Sequence, residues 1–162
     1  MSKNLAIAFG IGLVCIAIAV AGIFYMQRGA HVDVHGKIMK VRTAATDDNN
    51  SFVVIDFRIE NPSDYGFKVR TVTVVLEDPA GNPTEGQTAS DSSAKQALEG
   101  IPALGPKYND SLIMNDMIPP KGTWDRMIAA SFSLPEAKLQ ARKRFVVKVE
   151  EVDGKISEIS EK

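Results

Sequence analysis

Cysteine is almost missing from this chain: Cys15 is alone among 162 residues. One thiol staples nothing internally, so a disulfide framework is excluded and any domain must stand on its own core. Histidine occurs twice, at His31 and His35. With none elsewhere to act as a base, Ser-His and Cys-His nucleophilic pairs are unavailable. No glycine-rich phosphate loop is present. A net charge of -1 gives no global attraction to nucleic acid or to an anionic surface. Strands do not alternate with long helices, which argues against a parallel α/β sheet. There is no internal repeat at a fixed period, and the length suits one globular domain.

What the chain does have begins with an apolar run. Residues 5–26 contain no charge and as a helix extend about 33 Å, close to a bilayer's hydrocarbon thickness. Lys3 precedes the run, Tyr25 sits where an interfacial aromatic belongs, and Gln27-Arg28-Gly29 ends it. The rival reading is a cleaved signal peptide, because Ala19-Val20-Ala21 offers small-x-small spacing. Apolar residues continuing through Ile23, Phe24 and Tyr25 favour a retained anchor. Cys15 lies mid-span behind Val14, so it makes no usable lipobox. Arg28, Lys37, Lys40 and Arg42 outnumber Lys3, which by the positive-inside rule alone puts the rest in the cytoplasm. A short tail before an apolar run is nevertheless how export signals begin, and that favours the periplasmic side of an inner membrane. Ala6, Gly10, Ala17 and Ala21 are spaced for close approach by another helix.

The stretch FVVIDFRIENPSDYGFKVRTVTVVLED, residues 52–78, organises the remainder of the chain. Val53, Ile55, Phe57 and Ile59 share one face of an extended strand, and Asp56, Arg58 and Glu60 share the other, which predicts a half-buried strand. Asn61-Pro62-Ser63-Asp64-Tyr65-Gly66 is a turn cluster. Apolar parity then slips between Val69 and Val72, which predicts a β-bulge near Arg70-Thr71. A strand is expected within 30–46, with Gly36 as a possible bulge site. Residues 83–93 read as a loop, and Ser92 to Glu99 as a capped helical piece ending at Gly100. Pro119-Pro120-Lys121-Gly122 is a turn, followed by a strand carrying Trp124, Ile128, Ala130 and Phe132. Pro135 opens a short helix. Phe145, Val147 and Val149 face inward on another strand, and Asp153-Gly154 turns the chain back.

Five to seven short strands with two short helical pieces predict an all-β, immunoglobulin-like antiparallel β-sandwich preceded by one N-terminal transmembrane helix. The expected division is a tail over 1–4, the helix over 5–26, a juxtamembrane tether over 27–35 and the β-domain over 36–162. The order FVVIDFRIENPSD, VTVVLEDPAGN, IPPKGTW, IAASFSLPEA, VVKVEEVDG resembles telokin-like immunoglobulin-fold domains on bacterial membrane anchors. Through IENPSD it is also similar to late-embryogenesis type 2 (WHy-like) sandwiches. The resemblance covers about residues 36–154 and implies an extracytoplasmic interaction module with no catalytic residues to carry over.

Candidate chemistry is sparse. His31, Asp33 and His35 share a strand face and form a weak metal candidate, with no fourth ligand in sight. Asp47-Asp48-Asn49-Asn50-Ser51 has Phe52 where a calcium loop needs glycine, so it reads as a turn. Ser92-x-x-Lys95 lacks the partner motifs of penicillin-recognising enzymes and reads as a helix cap. Lys138, Arg142, Lys143, Arg144 and Lys148 form the one basic cluster, a candidate contact for lipid head groups or an acidic partner. The expectation is therefore a non-enzymatic, cofactor-free, single-pass membrane protein presenting an interaction or scaffold domain. Its partners would be the bilayer and a second transmembrane protein or another copy of itself, not nucleic acid. The alternatives are an accessory subunit of a membrane complex, held through the helix, and a metal- or ligand-binding sensor.

Overall fold

The computed structural model describes residues 3–27 and 32–161. It divides into two compact units, Met1–His31 and Val32–Lys162. The first holds helix α1, Lys3–Gln27. Among the described residues no helix is long and apolar enough to cross a membrane. That finding overturns the transmembrane segment expected over 5–26, and with it the signal-anchor, the single-pass placement and the periplasmic localisation.

The second unit is built from β1 (His35–Ala45), β2 (Ser51–Glu60), β3 (Phe67–Glu77), β4 (Pro83–Thr88), α2 (Asp91–Gly100), a 3-10 turn (Pro102–Leu104), β5 (Met117–Ile118), β6 (Thr123–Phe132), α3 (Glu136–Gln140), β7 (Arg144–Glu151) and β8 (Ile156–Ser160). The expected two-layer sandwich is corrected to one eight-stranded antiparallel sheet, ordered β1-β2-β6-β4-β3-β7-β8, with β5 added to β3. The reason lies in β4. Its first half pairs with β3, from Glu77↔Pro83 to Val74↔Gly86, and its second half pairs with β6 through Gln87↔Ser131 and Thr88↔Ala130. One strand that changes partners joins what a sandwich keeps as two sheets. The sheet then curls until β1 approaches β8. There Val34 N–H donates to Ser157 Oγ at 3.2 Å, and Lys155 pairs with Asp33 at 3.2 Å. The result is nearly a barrel, and closure of that kind reduces the exposed edges of a sheet.

Apolar parity sets the interior. Val53, Ile55, Phe57 and Ile59 of β2 meet Val74 and Leu76 of β3, Ile128 and Phe132 of β6, and Phe145, Val147 and Val149 of β7 in the main core. The predicted bulge on β3 is present, as a register shift between Val69 and Thr71. On β1 the shift falls between Ile38 and Lys40, beyond the glycine expected to carry it. Two expectations fail outside the core. Residues 83–88, read as loop, form β4, whose Gly86 stands against the Phe132 ring and so leaves no apolar side chain to signal a strand. The far face of β2 is not solvated as predicted. α2 and the 3-10 turn cover it with a second cluster containing Phe52, Val54, Leu98, Leu104 and Met127. At the top of β1, Glu136 of α3 accepts from Ala45 N–H at 3.1 Å and Thr43 Oγ1 at 2.9 Å, blocking that edge to further strands.

Ion pairs across the outer face make stability pH-dependent. Arg58 holds Asp125 through two contacts of 2.7 and 2.9 Å, and Arg144 holds Glu77 at 2.7 and 2.8 Å. In each case the guanidinium hydrogen bonds lower the carboxylate pKa. Burial pushes Glu161 upward, but hydrogen bonds from Arg142 and Phe145 N–H together outweigh it and leave the pKa lowered. A carboxylate with a folded pKa below its unfolded one stabilises the fold above the unfolded value and loses that contribution as pH falls through the folded value. We therefore expect the urea midpoint to hold from pH 7 to about 5 and to fall below about pH 4, with Glu77→Gln making the fall shallower. A midpoint unchanged down to about pH 3 contradicts this.

Candidate functional site

Where β4 leaves β3 for β6, the wall of the near-barrel splits. Segment 110–116 plugs the split and bonds to both sides. Met127 N–H donates to Asp110 O and Leu112 N–H to Met127 O, each at 2.9 Å. Asn115 N–H donates to Val69 O at 2.8 Å, and Val69 N–H to Asp116 O at 2.9 Å. Asn115 adopts a φ of 71°, a left-handed conformation that asparagine tolerates better than most residues. Asp116 Oδ2 accepts from Ile113 N–H at 3.0 Å and so fixes the turn. Asp91, in the first turn of α2, ties the plug to the helix by accepting from Ser111 Oγ at 2.6 Å and Lys107 Nζ at 3.2 Å. Those bonds lower the Asp91 pKa, and Asp91 in turn raises that of Lys107.

Beside the plug a groove of about 760 Å³ remains open. Val72, Ala89, Leu112 and Ile128 contribute apolar lining, and Ile113 and Met114 stand at its lip, 48% and 66% exposed. On the β3 wall, Val72 O accepts from Thr88 Oγ1 at 3.0 Å, a side-chain bond at a position beyond the last β3–β4 backbone pair. The groove is therefore apolar at its base, polar along Thr71, Thr88 and Ser90, and flanked by an extended backbone. It suits an extended peptide better than a compact polar substrate.

A second polar constellation lies under the 3-10 turn. Arg42 and Asp56 meet at 2.7 Å with side chains only 7% and 4% exposed. Arg42 also donates to Leu104 O and to Pro106 O, the latter at 2.8 Å, and Asn109 Nδ2 donates to Asp56 Oδ1 at 2.9 Å. Tyr108 lies against two cations of β1, with Lys40 Nζ 4.7 Å and the Arg42 guanidinium 4.9 Å from its ring centre. This network secures the 104–109 segment to the sheet, so its role is positional. Sequence reading missed it, because Asp56 looked like an ordinary outward residue of an alternating strand.

The residues singled out from sequence fare unevenly. Asp33 and His35 do share an outward face, but Asp33 is engaged by Lys155 and His35 is exposed. His31 lies outside the described residues, among which no group of three His, Cys, Asp or Glu is placed to hold a metal ion. The basic cluster does not act as one patch. Arg142 is bidentate to Glu161 at 2.8 and 2.6 Å and also lies over the Phe145 ring. Arg144 is committed to Glu77, and Lys148 pairs with Glu158 at 3.1 Å. Lys138 and Lys143 stay exposed, with no salt-bridge partner among the described residues. Ser92 Oγ bonds Ser90 Oγ at 2.9 Å beside the Ser90 cap of α2, and Lys95 faces Glu99 at 4.0 Å. Asp47 Oδ1 accepts from the N–H groups of Asn49 and Asn50 at 2.8 Å each, closing the β1–β2 turn. Trp124 is half-buried against the main core, with the Arg126 guanidinium 4.1 Å over its ring.

No family model matches this chain, and no curated protein is a match. Similar solved structures include the archaellum periplasmic stator protein FlaG from Sulfolobus acidocaldarius, at 11% identity and TM-score 0.37 over 80% of this chain and 99% of that one. A conserved hypothetical protein from Bacillus anthracis has 14% identity and TM-score 0.38 over 76% and 85%. A Northeast Structural Genomics Consortium target has 14% identity and TM-score 0.36 over 82% and 81%. Likeness at this level carries no argument about what the chain does.

Proposed function

We propose that this chain is a non-enzymatic interaction or scaffold module that docks an extended segment of a partner protein in the groove between β3 and the 110–116 plug. The observation that carries this reading is the strand switch of β4, which leaves an apolar groove alongside extended backbone. An added strand gains affinity from main-chain hydrogen bonds, and every second side chain of the segment would meet the apolar base. Ile113 and Met114, apolar and exposed at the lip, are placed to cover it. An unbranched methionine adapts to different side chains, as suits a surface that recognises a backbone more than one sequence.

The test is selection of peptides from a random display library on the full chain, followed by binding of the enriched peptides to an Ile113→Glu/Met114→Glu variant. Enriched peptides should alternate apolar residues, weaken at least tenfold on the variant, and protect amides of residues 70–73 from hydrogen exchange. Peptides that bind the variant equally well, or that protect a different surface, overturn the reading.

A further inference from the structure

One end of the near-barrel holds a smaller and more enclosed cavity of about 250 Å³. Leu76 of β3, Leu134, Pro79 and Ala141 give it apolar walls, and Asp78, Thr84 and Lys138 complete the lining. Asp78 is occupied by its own turn: its Oδ1 accepts from Asn82 N–H at 2.8 Å and its Oδ2 from Asn82 Nδ2 at 2.9 Å. Lys138 has no salt-bridge partner among the described residues. A second lysine in the same condition stands close by. Lys143 Nζ lies 3.9 Å from the position a Cβ would occupy on Gly81, in the turn that supplies Asp78 and Pro79. Lys138 on the cavity lining and Lys143 beside the adjoining Gly81 turn are thus the two cations of the basic cluster with no salt-bridge partner among the described residues, although Lys143 also acts on Glu77 at longer range, whereas the other three are engaged by Glu161, Glu77 and Glu158.

From this charge pattern we infer that the cavity binds a small amphiphilic carboxylate, its chain between Leu76 and Leu134 and its head group facing Lys138 and Lys143. At about 30 Å³ per water-sized unit, the volume accommodates on the order of eight non-hydrogen atoms, the size of hexanoate. Apolar walls supply the attraction for the chain, and the lysines select the sign of the head. Both lysines are solvent-exposed, so their contribution is selectivity more than strength.

Titration of the full chain with hexanoate, hexanol and hexylamine, followed by NMR of the Leu76 and Leu134 methyl groups, tests this. Hexanoate should give saturable shifts with a dissociation constant on the order of millimolar, tighter than hexanol and much tighter than hexylamine. Lys138→Gln/Lys143→Gln should weaken hexanoate about three- to tenfold and leave hexanol unchanged. Ala141→Trp, a substitution at an exposed position on the cavity wall, should weaken both. The inference is overturned if hexanol binds as well as hexanoate, if the double lysine variant binds hexanoate like the wild type, or if no saturable shift occurs at those methyl groups.

Discussion

Asp56→Ala is expected to destabilise the fold by about 3–5 kcal/mol, read as a lower urea midpoint without a change in slope. The cost comes from the groups left behind. Asp56 is 3% exposed and accepts from Arg42 and Asn109 at once. Removing it leaves the Arg42 guanidinium buried beside two carbonyls, with its Nε already lacking a hydrogen-bond partner among the described residues. A buried charge without its counter-charge costs far more than the pair contributes when intact. Arg42→Met should cost a similar amount, because it strands the carboxylate and also frees Leu104 O, Pro106 O and the Tyr108 ring. The double variant Arg42→Met/Asp56→Leu, which replaces the pair by apolar volume, should recover most of the loss. A double variant as unstable as the sum of its parts would show that the 104–109 segment depends on the carbonyl bonds of Arg42 more than on the ion pair.

That network also explains where sequence reading stopped. Local features were legible: the parity slip at Val69 and Thr71, the turn at Pro119 to Gly122, the Pro135 helix start and the Asp153-Gly154 reversal all depend on neighbouring residues, although the helix read from Ser92 is capped two residues earlier, by Ser90. Non-local ones were not. Asp56, Arg58 and Glu60 follow the same alternation, yet only Asp56 is buried, because Leu104 and Leu98 arrive from α2 and the turn after it. The basic cluster looked continuous along the chain, but its partners Glu77 and Glu161 come from β3 and the end of the chain. β4 carries no apolar period, since Gly86 meets an aromatic ring with bare backbone. β4 joins the two halves of the sheet, borders the groove through Thr88 and lines the end cavity through Thr84, so the shift from sandwich to near-barrel was hidden with it. α1 shows the opposite failure, in which an apolar run was read as a span on composition and length.

Gly36→Ala should cost about 3 kcal/mol, at the upper end of what overpacking causes, and should act at the seam where the sheet closes on itself. A Cβ on Gly36 would stand 2.2 Å from Arg58 O and 2.7 Å from Ile159 Cδ1. The first is backbone of the paired strand β2, which cannot yield without breaking the Gly36↔Ile59 register, and the second is a buried core side chain of β8. Relief of the Ile159 contact requires β1 to move away from β8, which weakens the bond from Val34 N–H to Ser157 Oγ and the Asp33–Lys155 pair, and relief of the Arg58 O contact requires β1 to move off β2. Gly100→Ala is the control. Nothing lies within 4 Å of its Cβ position at the end of α2, so it should be neutral or mildly stabilising. Hydrogen exchange separates the two origins of the loss. Faster exchange confined to β1 and β8 indicates an opened seam, and Ile159→Val should then restore part of the stability. Uniform acceleration across β2, β3 and β7 would instead mean that the carbonyl clash disrupts the central sheet, and that the seam is not where the glycine matters.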